Sequence, residues 1–415
     1  MKFNELGITP KILDILDRQR FTEPTPIQEK SIPVALEGKD IIGIAQTGTG
    51  KTLAFGIPMI QRLSQDNTSC GLIVLPTREL ALQVDEALRK LAGMFGIRTV
   101  VLIGGENMGR QINQLRANPR IIIATPGRII DHLRRKTVNL CRVSTLVLDE
   151  ADRMLDMGFA PSIKQILENM PHTRQTLLFS ATMPARIAEL ARRYMQTPVR
   201  IEVAPSGTAA ENVSQEVYFI HRTLKTELLK TILMKRKGST LVFSRTKFGA
   251  KKLAYEIQRM GHTATEMHSN RSLAQRIRSL SDFKKGTCRV LVATDIASRG
   301  IDVANIELVV NYDLPENSED FVHRIGRTGR AGLSGHAISF ATPDQKYAIR
   351  QIECLINKEI IVSKPPEEIY ARAGEIVNQP SFEDRRPSRP FGSRGARGNS
   401  FSSRGKFSSR RRKRF

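Results

Sequence analysis

The stretch Ala45-Gln46-Thr47-Gly48-Thr49-Gly50-Lys51-Thr52 holds the most chemically loaded spacing in the chain. Glycines just before a helix let backbone N–H groups face phosphate oxygens, and the positive end of the helix adds to the attraction. In that frame Thr47, Gly48, Thr49 and Gly50 cradle the phosphates, Lys51 reaches the β- and γ-phosphates, and Thr52 ligates Mg²⁺. Ala45 stands where the general phosphate-loop pattern has its first glycine. A plain glycine-rich turn from strand to helix does not account for Gly-Lys-Thr at its end.

Asp149-Glu150-Ala151-Asp152 follows the apolar run Leu146-Val147-Leu148. A carboxylate at the C-terminal end of a buried strand lies beside the phosphate loop in sheets of this class. Asp149 is then placed to hold Mg²⁺ through water, and Glu150 to orient and deprotonate the attacking water. Alone, such a pair is usually a solvated loop; coupled to a phosphate loop it is a hydrolytic pair. Far downstream, His323-Arg324-Ile325-Gly326-Arg327-Thr328-Gly329-Arg330 sets three arginines at three-residue spacing. Arginine beside a γ-phosphate stabilises transferring charge, worth roughly 10³ to 10⁵ in rate.

These groups need a scaffold that brings distant segments to one edge. Ile41–Ile44, Leu72–Leu75, Ile121–Ile123, Leu146–Leu148 and Leu177–Phe179 read as strands buried on both faces, separated by helical patterns such as Leu80–Leu91 and Ile187–Tyr194. That alternation implies an α/β fold with a parallel sheet covered by helices on both sides. It pauses over 205–212, where small residues, Pro205 and Gly207 suggest a linker, and restarts with Val217–Ile220, Leu241–Phe243, Val290–Val292 and Leu308–Val310. The expected organisation is one domain over 1–204, a second over 213–360, and an extension with an Arg/Ser/Gly-rich tail over 361–415. From Ser381 onward the composition is that of a disordered basic segment.

The 415 residues carry a formal charge of +24, and +10 of it lies between Ser381 and Phe415. The folded part is therefore basic in its own right, which favours a polyanionic partner. No apolar run approaches the ~20 residues of a membrane span, and the opening Met-Lys-Phe-Asn-Glu-Leu-Gly lacks the apolar core of a signal peptide. Cys70, Cys141, Cys288 and Cys354 are scattered singly, so reduced, buried thiols of a cytoplasmic protein are expected.

Together these motifs resemble the DEAD-box family of superfamily 2 RNA helicases, whose naming quartet is Asp149 to Asp152, over roughly Phe3 to Phe340. The N-terminal opening and arginine-rich tail are similar to the bacterial RhlE branch. The resemblance implies two tandem RecA-like domains and ATP as the nucleotide. Phe21 and Gln28, in Phe-Thr-Glu-Pro-Thr-Pro-Ile-Gln, would then hold adenine by stacking and by hydrogen bonds to its edge, with Phe3 as the upstream aromatic of the same element. The family usually has glycine where this chain has Arg20. Ser180-Ala181-Thr182 matches the motif coupling hydrolysis to unwinding, its hydroxyls linking Asp152 and His323. Asp302 matches a ribose contact, and Arg327 and Arg330 match the γ-phosphate arginines.

A track for the nucleic acid follows from loops that leave the same sheet edge. Pro76-Thr77-Arg78, Gly104-Gly105 and Thr125-Pro126-Gly127-Arg128 offer hydroxyls, arginines and close-approach glycines suited to a sugar-phosphate backbone. Ser244-Arg245-Thr246, Gln275-Arg276, and Thr294 with Arg299 are the second-domain equivalents. Arg78, Gly105, Thr125, Arg128, Thr294 and Arg299 are the expected RNA contacts. The tail interleaves Phe391, Phe401 and Phe407 with arginines, a composition that adds RNA affinity without sequence choice. The expected activity is ATP-dependent local unwinding of short RNA duplexes or remodelling of RNA–protein complexes, in the setting of ribosomes or RNA decay. A DNA helicase or translocase and an ATP-gated RNA clamp are the rivals.

Overall fold

The computed structural model describes residues 1–46, 48–203, 213–298, 303, 306–329 and 334–370. The first sheet holds β1 (Ile41–Ile44), β2 (Cys70–Val74), β3 (Thr99–Leu102), β4 (Ile121–Ala124), β5 (Val143–Leu148), β6 (Gln175–Ser180) and β7 (Val199–Glu202). The second holds β8 (Val213–Phe219), β9 (Thr240–Phe243), β10 (Ala264–Met267), β11 (Val290–Ala293), β12 (Leu308–Asn311), β13 (Gly335–Ala341) and β14 (Ile361–Ser363). Every pairing between these strands is parallel. The strand orders are β3-β4-β2-β5-β6-β1-β7 and β10-β11-β9-β12-β13-β8-β14. Counted from its own first strand, the second sheet has the same order as the first.

Helices α1 (Pro10–Arg18), α2 (Pro26–Leu36), α3 (Lys51–Gln65), α4 (Arg78–Gly93), α5 (Met108–Arg116), α6 (Pro126–Arg134), α7 (Ala151–Asp156), α8 (Ala160–Glu168) and α9 (Ala185–Tyr194) belong to the first lobe. The second lobe carries α10 (Lys225–Lys235), α11 (Lys247–Arg259), α12 (Leu273–Lys284), α13 (Asp295–Ser298), α14 (Ser318–Ile325) and α15 (Lys346–Ile356). Alternate strand residues serve opposite faces, as a pleated sheet requires. Ile41, Ile73, Ile123, Val147 and Leu177 pack with side chains of α2, α3 and α4. Ile42, Ile44, Leu72, Leu146, Leu148 and Leu178 pack with those of α6, α8 and α9. Apolar residues on both faces explain why these strands read as unbroken β-branched runs.

The helices at 80–91 and 187–194 and the named strand runs fall within observed elements, except that Leu75 and Ile220 each lie one residue past the end of their strands. The linker at 205–212 and the basic tail from 371 onward lie outside the described residues. Cys70 and Cys288 are buried, but Cys141 and Cys354 are exposed, which corrects the expectation of four buried thiols. Cys141 falls in the turn before β5 and Cys354 in the outer half of α15, where neither side chain meets the core. No helix among the described residues is long and apolar enough to cross a membrane.

Candidate active site

In the first sheet β6 lies between β5 and β1, so the loops after these three strands emerge side by side. The loop after β1 turns sharply through Gly48 at φ 84° and Gly50 at φ 89°, left-handed values that favour glycine. Gly50 also lies under α2: its carbonyl accepts a hydrogen bond from Gln28 Nε2 at 2.9 Å, and a Cβ there would sit 2.5 Å from that nitrogen. Gly50 directly precedes α3, so Lys51 and Thr52 are the first residues of the helix and its unpaired N–H groups face outward. Lys51 Nζ donates to Ala45 O at 3.0 Å and stands 3.7 Å from Asp149 Oδ1. Thr49 Oγ1 donates to Gln46 O at 2.7 Å. Thr47 lies outside the described residues.

Asp149 directly follows β5 and is buried. Burial, with repulsion from Glu150 and Asp152, lifts its carboxyl to about 6 against the pull of Lys51. Glu150 adopts φ 54°, a left-handed conformation rare for a side chain of this size, which swings its carboxylate to the edge of the sheet. Its Oε2 pairs with Arg153 Nη1 at 3.0 Å, and both side chains are buried. Arg153 was not anticipated from sequence; its i+3 spacing from Glu150 on a helix start was the available signal.

Asp152 is bonded to the loop that follows β6. Its Oδ2 accepts from Ala181 N at 3.0 Å, Thr182 N at 2.9 Å and Thr182 Oγ1 at 3.1 Å, while its own N–H donates to Ser180 Oγ at 3.2 Å. His323 Nε2, from α14 of the second lobe, approaches the same oxygen at 4.0 Å. Burial works to raise Asp152, but the charges of Arg153 and Lys51 and the Thr182 N–H outweigh it and hold its carboxyl below the ordinary range. His323 is held well below its usual range by burial, with Arg153 adding repulsion, and is neutral at pH 7.

Arg327 follows α14, is buried, and donates from Nε to His323 O at 3.2 Å. It lines a cleft of about 590 Å³ shared with Phe21, Gln28, Gly50, Lys51, Thr52, Asp149 and Glu150. Lys284, at the end of α12, closes the same cleft. Arg324 has a different office. It forks onto Asp295 (Nε–Oδ1 2.5 Å, Nη2–Oδ2 2.7 Å), bonds Asn311 Oδ1 and Asp313 O, and stacks 4.8 Å from the Phe243 ring centroid. It braces α14 against β12 inside the second lobe. Arg330 and Asp302 lie outside the described residues.

At the far end of the cleft Phe21 is 40% exposed, as a stacking platform needs to be. Arg20 takes φ 61° at the end of α1, the conformation glycine would supply, so the turn survives the substitution. Gln28 is buried, accepting from Thr25 N at 3.0 Å while it holds Gly50. Phe3 belongs instead to the core of the first lobe and lines no part of the cleft.

On another side of the sheet edge, Arg78 starts α4 and lies against Gly104 and Gly105; a Cβ on Gly105 (φ 81°) would come within 2.4 Å of its Nη1. Arg128 is half-buried near the start of α6, and Thr125 before it is nearly enclosed. In the second lobe Thr294 lines a cleft of about 380 Å³ with Arg245, Lys247 and Ser269, which Asp156 and Met157 of the first lobe also border. Gln275 is spent on the capping box of α12, and Arg276 pairs across the lobes with Glu79 at 2.8 Å. Glu79 lay unread inside Pro-Thr-Arg-Glu-Leu. Arg299 lies outside the described residues.

The donor set suits a divalent cation carried in with a nucleotide. The Thr52 hydroxyl and the Asp149 and Glu150 carboxylates face one cleft, and the raised Asp149 marks a site short of positive charge. Among the described residues no cluster of three or more His, Cys, Asp or Glu is set to hold an ion.

Residues 25–190 match the DEAD/DEAH box helicase family and residues 224–332 the helicase conserved C-terminal domain. The ATP-dependent RNA helicase CshA of Listeria monocytogenes is 45% identical over 377 residues, covering 90% of this chain and 72% of its own length. The DEAD-box ATP-dependent RNA helicase CshA of Geobacillus kaustophilus is 43% identical over 366 residues, covering 88% and 78%. Mss116p, solved bound to ssRNA and AMP-PNP, superposes with a TM-score of 0.81 at 30% identity, covering 91% of this chain and 82% of its own. These relatives lend no support to the RhlE branch suggested by the opening and tail.

Proposed function

The chain belongs to the DEAD-box ATP-dependent RNA helicases, and from that premise we propose how its residues divide the work. The protein is an RNA helicase and ATPase built from two RecA-like domains. We read Ala45–Thr52 as its P-loop, with Lys51 on the β- and γ-phosphates. Thr52 and Asp149 would hold a Mg²⁺ ion brought with the nucleotide, which would supply screening of phosphate charge. Glu150 takes the proton of the attacking water, and Arg327 and Arg330 stabilise the transferring phosphoryl group from the opposite lobe. Phe21 and Gln28 hold adenine, and Asp302 holds the ribose. Asp152, Ser180, Thr182 and His323 join the hydrolytic loop to the second lobe.

The observation that carries this reading is Arg327, which lines the same cleft as Lys51, Asp149 and Glu150 although it belongs to the other lobe. ATP in that cleft bridges the lobes. A single RNA strand over Arg78, Gly105, Thr125 and Arg128, continuing to Thr294 and Arg299, bridges them a second time. Closure on a bent strand pries a short duplex apart, and loss of phosphate reopens the lobes. We assign the first domain to 1–204 and the second to 213–360, with β14 appended. A CshA-like role in the cytoplasm, on structured RNA of ribosomes or of RNA decay, agrees with the free cysteines and the basic charge.

Two assays test the proposal together. ATP turnover is measured with single-stranded RNA and with DNA of the same sequence, and release of a short duplex with ATP and with a non-hydrolysable analogue. Stimulation by RNA alone is expected, with duplex release under either nucleotide and multiple rounds only with ATP. Equal stimulation by DNA would favour the translocase. Release of no duplex under either nucleotide would leave only the clamp.

A further inference from the structure

Gln111, on α5, is wholly buried and lies outside every motif described above. Its amide is fully engaged. Nε2 donates to Ile103 O at 2.9 Å and to Glu106 Oε2 at 3.2 Å, while Oε1 accepts from Arg128 Nε at 2.8 Å and faces His132 Nε2 at 3.1 Å. Two donors and two acceptor positions are all an amide side chain has. One side chain thus ties the two ends of the Gly104-Gly105 turn to the guanidinium of Arg128. A second bond from Arg128 Nη2 to Glu106 O, at 2.5 Å, closes the ring.

His132 is the other fixed point. Burial, with Arg128 adding repulsion, keeps it below its usual range and therefore neutral. Its Nδ1 lies 2.8 Å from Thr137 Oγ1, a hydroxyl also 3.2 Å from His132 O. Because Gln111 Oε1 can only accept, the neutral ring carries its proton on Nε2 and points it at that oxygen. This second donor stops the amide from flipping. Arg128 consequently has two of its three guanidinium nitrogens fastened inward, while Nη1 has no hydrogen bond among the described residues and is not enclosed. An arginine held in this way meets a phosphate without ordering its own long side chain.

We infer that Gln111 is a positioning residue for the RNA track: it fixes the Arg128 guanidinium and the Gly104-Gly105 turn in one geometry for a sugar-phosphate backbone. The inference deepens the function proposed above and rests on Arg128 touching RNA.

The test uses the full chain with Gln111→Leu, Arg128→Ala and the double variant. Affinity for a single-stranded oligonucleotide is measured over a salt series, beside KM for ATP and thermal melting. Gln111→Leu is expected to weaken RNA binding roughly five- to twentyfold. Its salt slope should fall toward that of Arg128→Ala, by about one unit. KM for ATP should stay unchanged, and the Leu change should add little in the Arg128→Ala background. Gln111→Asn, the same amide one methylene short, replaces the Leu variant if that does not fold and is read the same way. Wild-type RNA affinity in the Gln111 variant with weakened binding in Arg128→Ala would overturn the inference and leave the RNA track standing. Equal weakening by the Gln111 change in both backgrounds would overturn it as well. Wild-type affinity in Arg128→Ala would instead remove the reading on which the inference rests.

Discussion

Arg276 Nη1 of α12 lies 2.8 Å from Glu79 Oε1 of α4, a largely buried ion pair whose partners come from different lobes. Glu79 is one residue past Arg78, so on the function proposed above the pair would couple lobe closure to the start of the RNA track. Removing one partner of a buried pair strands the other charge. Arg276→Ala or Glu79→Ala should therefore raise the RNA concentration needed for half-maximal ATPase at least tenfold. Melting of the nucleotide-free protein should change little. The reversed pair, Glu79→Arg with Arg276→Glu, should recover part of the loss. An unchanged RNA requirement in both single variants would show that the pair carries no closure energy.

Glu150→Gln keeps the shape of the base and removes its ability to take a proton. Turnover with saturating RNA should drop by about two to four orders of magnitude, with RNA binding in the presence of ATP retained. Arg327→Ala should cost roughly 10³ or more by removing charge from the opposite lobe. The two variants differ in one respect: only Arg327→Ala should also weaken ATP-dependent closure. Normal turnover in either would withdraw the role given to that residue.

Asp149 gives a pH signature in the nucleotide-free protein. Its folded value of about 6 stands above the ordinary 3.8, so the native state binds this proton more readily than the unfolded chain. The associated stability is full below pH 3.8 and is lost as pH rises through 6. At pH 7.5 the ionised carboxylate is a net burden of at most about 3 kcal/mol. Asp149→Asn should therefore melt above the wild type at pH 7.5, with the gap closing between pH 6 and 4, while hydrolysis is lost. A variant that melts lower at pH 7.5 would mean that the Lys51 contact outweighs burial.

Arg20 carries a left-handed backbone with an exposed side chain. Arg20→Gly should stabilise the first lobe by up to about 1 kcal/mol, because glycine takes φ 61° without the Cβ penalty. Differential scanning calorimetry of the two proteins measures it, and KM for ATP should not move. A lower melting temperature would show that the flexibility added to the unfolded chain exceeds the strain relieved.

Sequence reasoning served best where one residue type answers one physical demand. Lys51 at a helix start, the carboxylates after β5, and the β-branched runs of the sheet interiors all declared themselves. β3, β7, β10, β13 and β14 did not. Val-Arg-Ile-Glu and Ala-Thr-Glu-Met mix polar groups into short segments at or near a sheet rim, and Glu266 of β10 lies 3.0 Å from Arg271 and 3.5 Å from His268. Arg324 shares the three-residue spacing of Arg327 and Arg330, and spacing alone does not tell that its side chain turns inward to Asp295. The Gln111 hub was invisible because glutamine on an amphipathic helix reads as a solvated residue until the fold buries it. Phe3 and Phe21 looked alike on paper, and only tertiary packing separated a core ring from one exposed at the cleft.

The matching strand order of the two sheets makes the chain a tandem repeat with one junction among the described residues. On the function proposed above, that one junction would close and open once for each nucleotide. Long duplexes should accordingly defeat a lone molecule, and strand separation should fall steeply with helix length instead of advancing base by base.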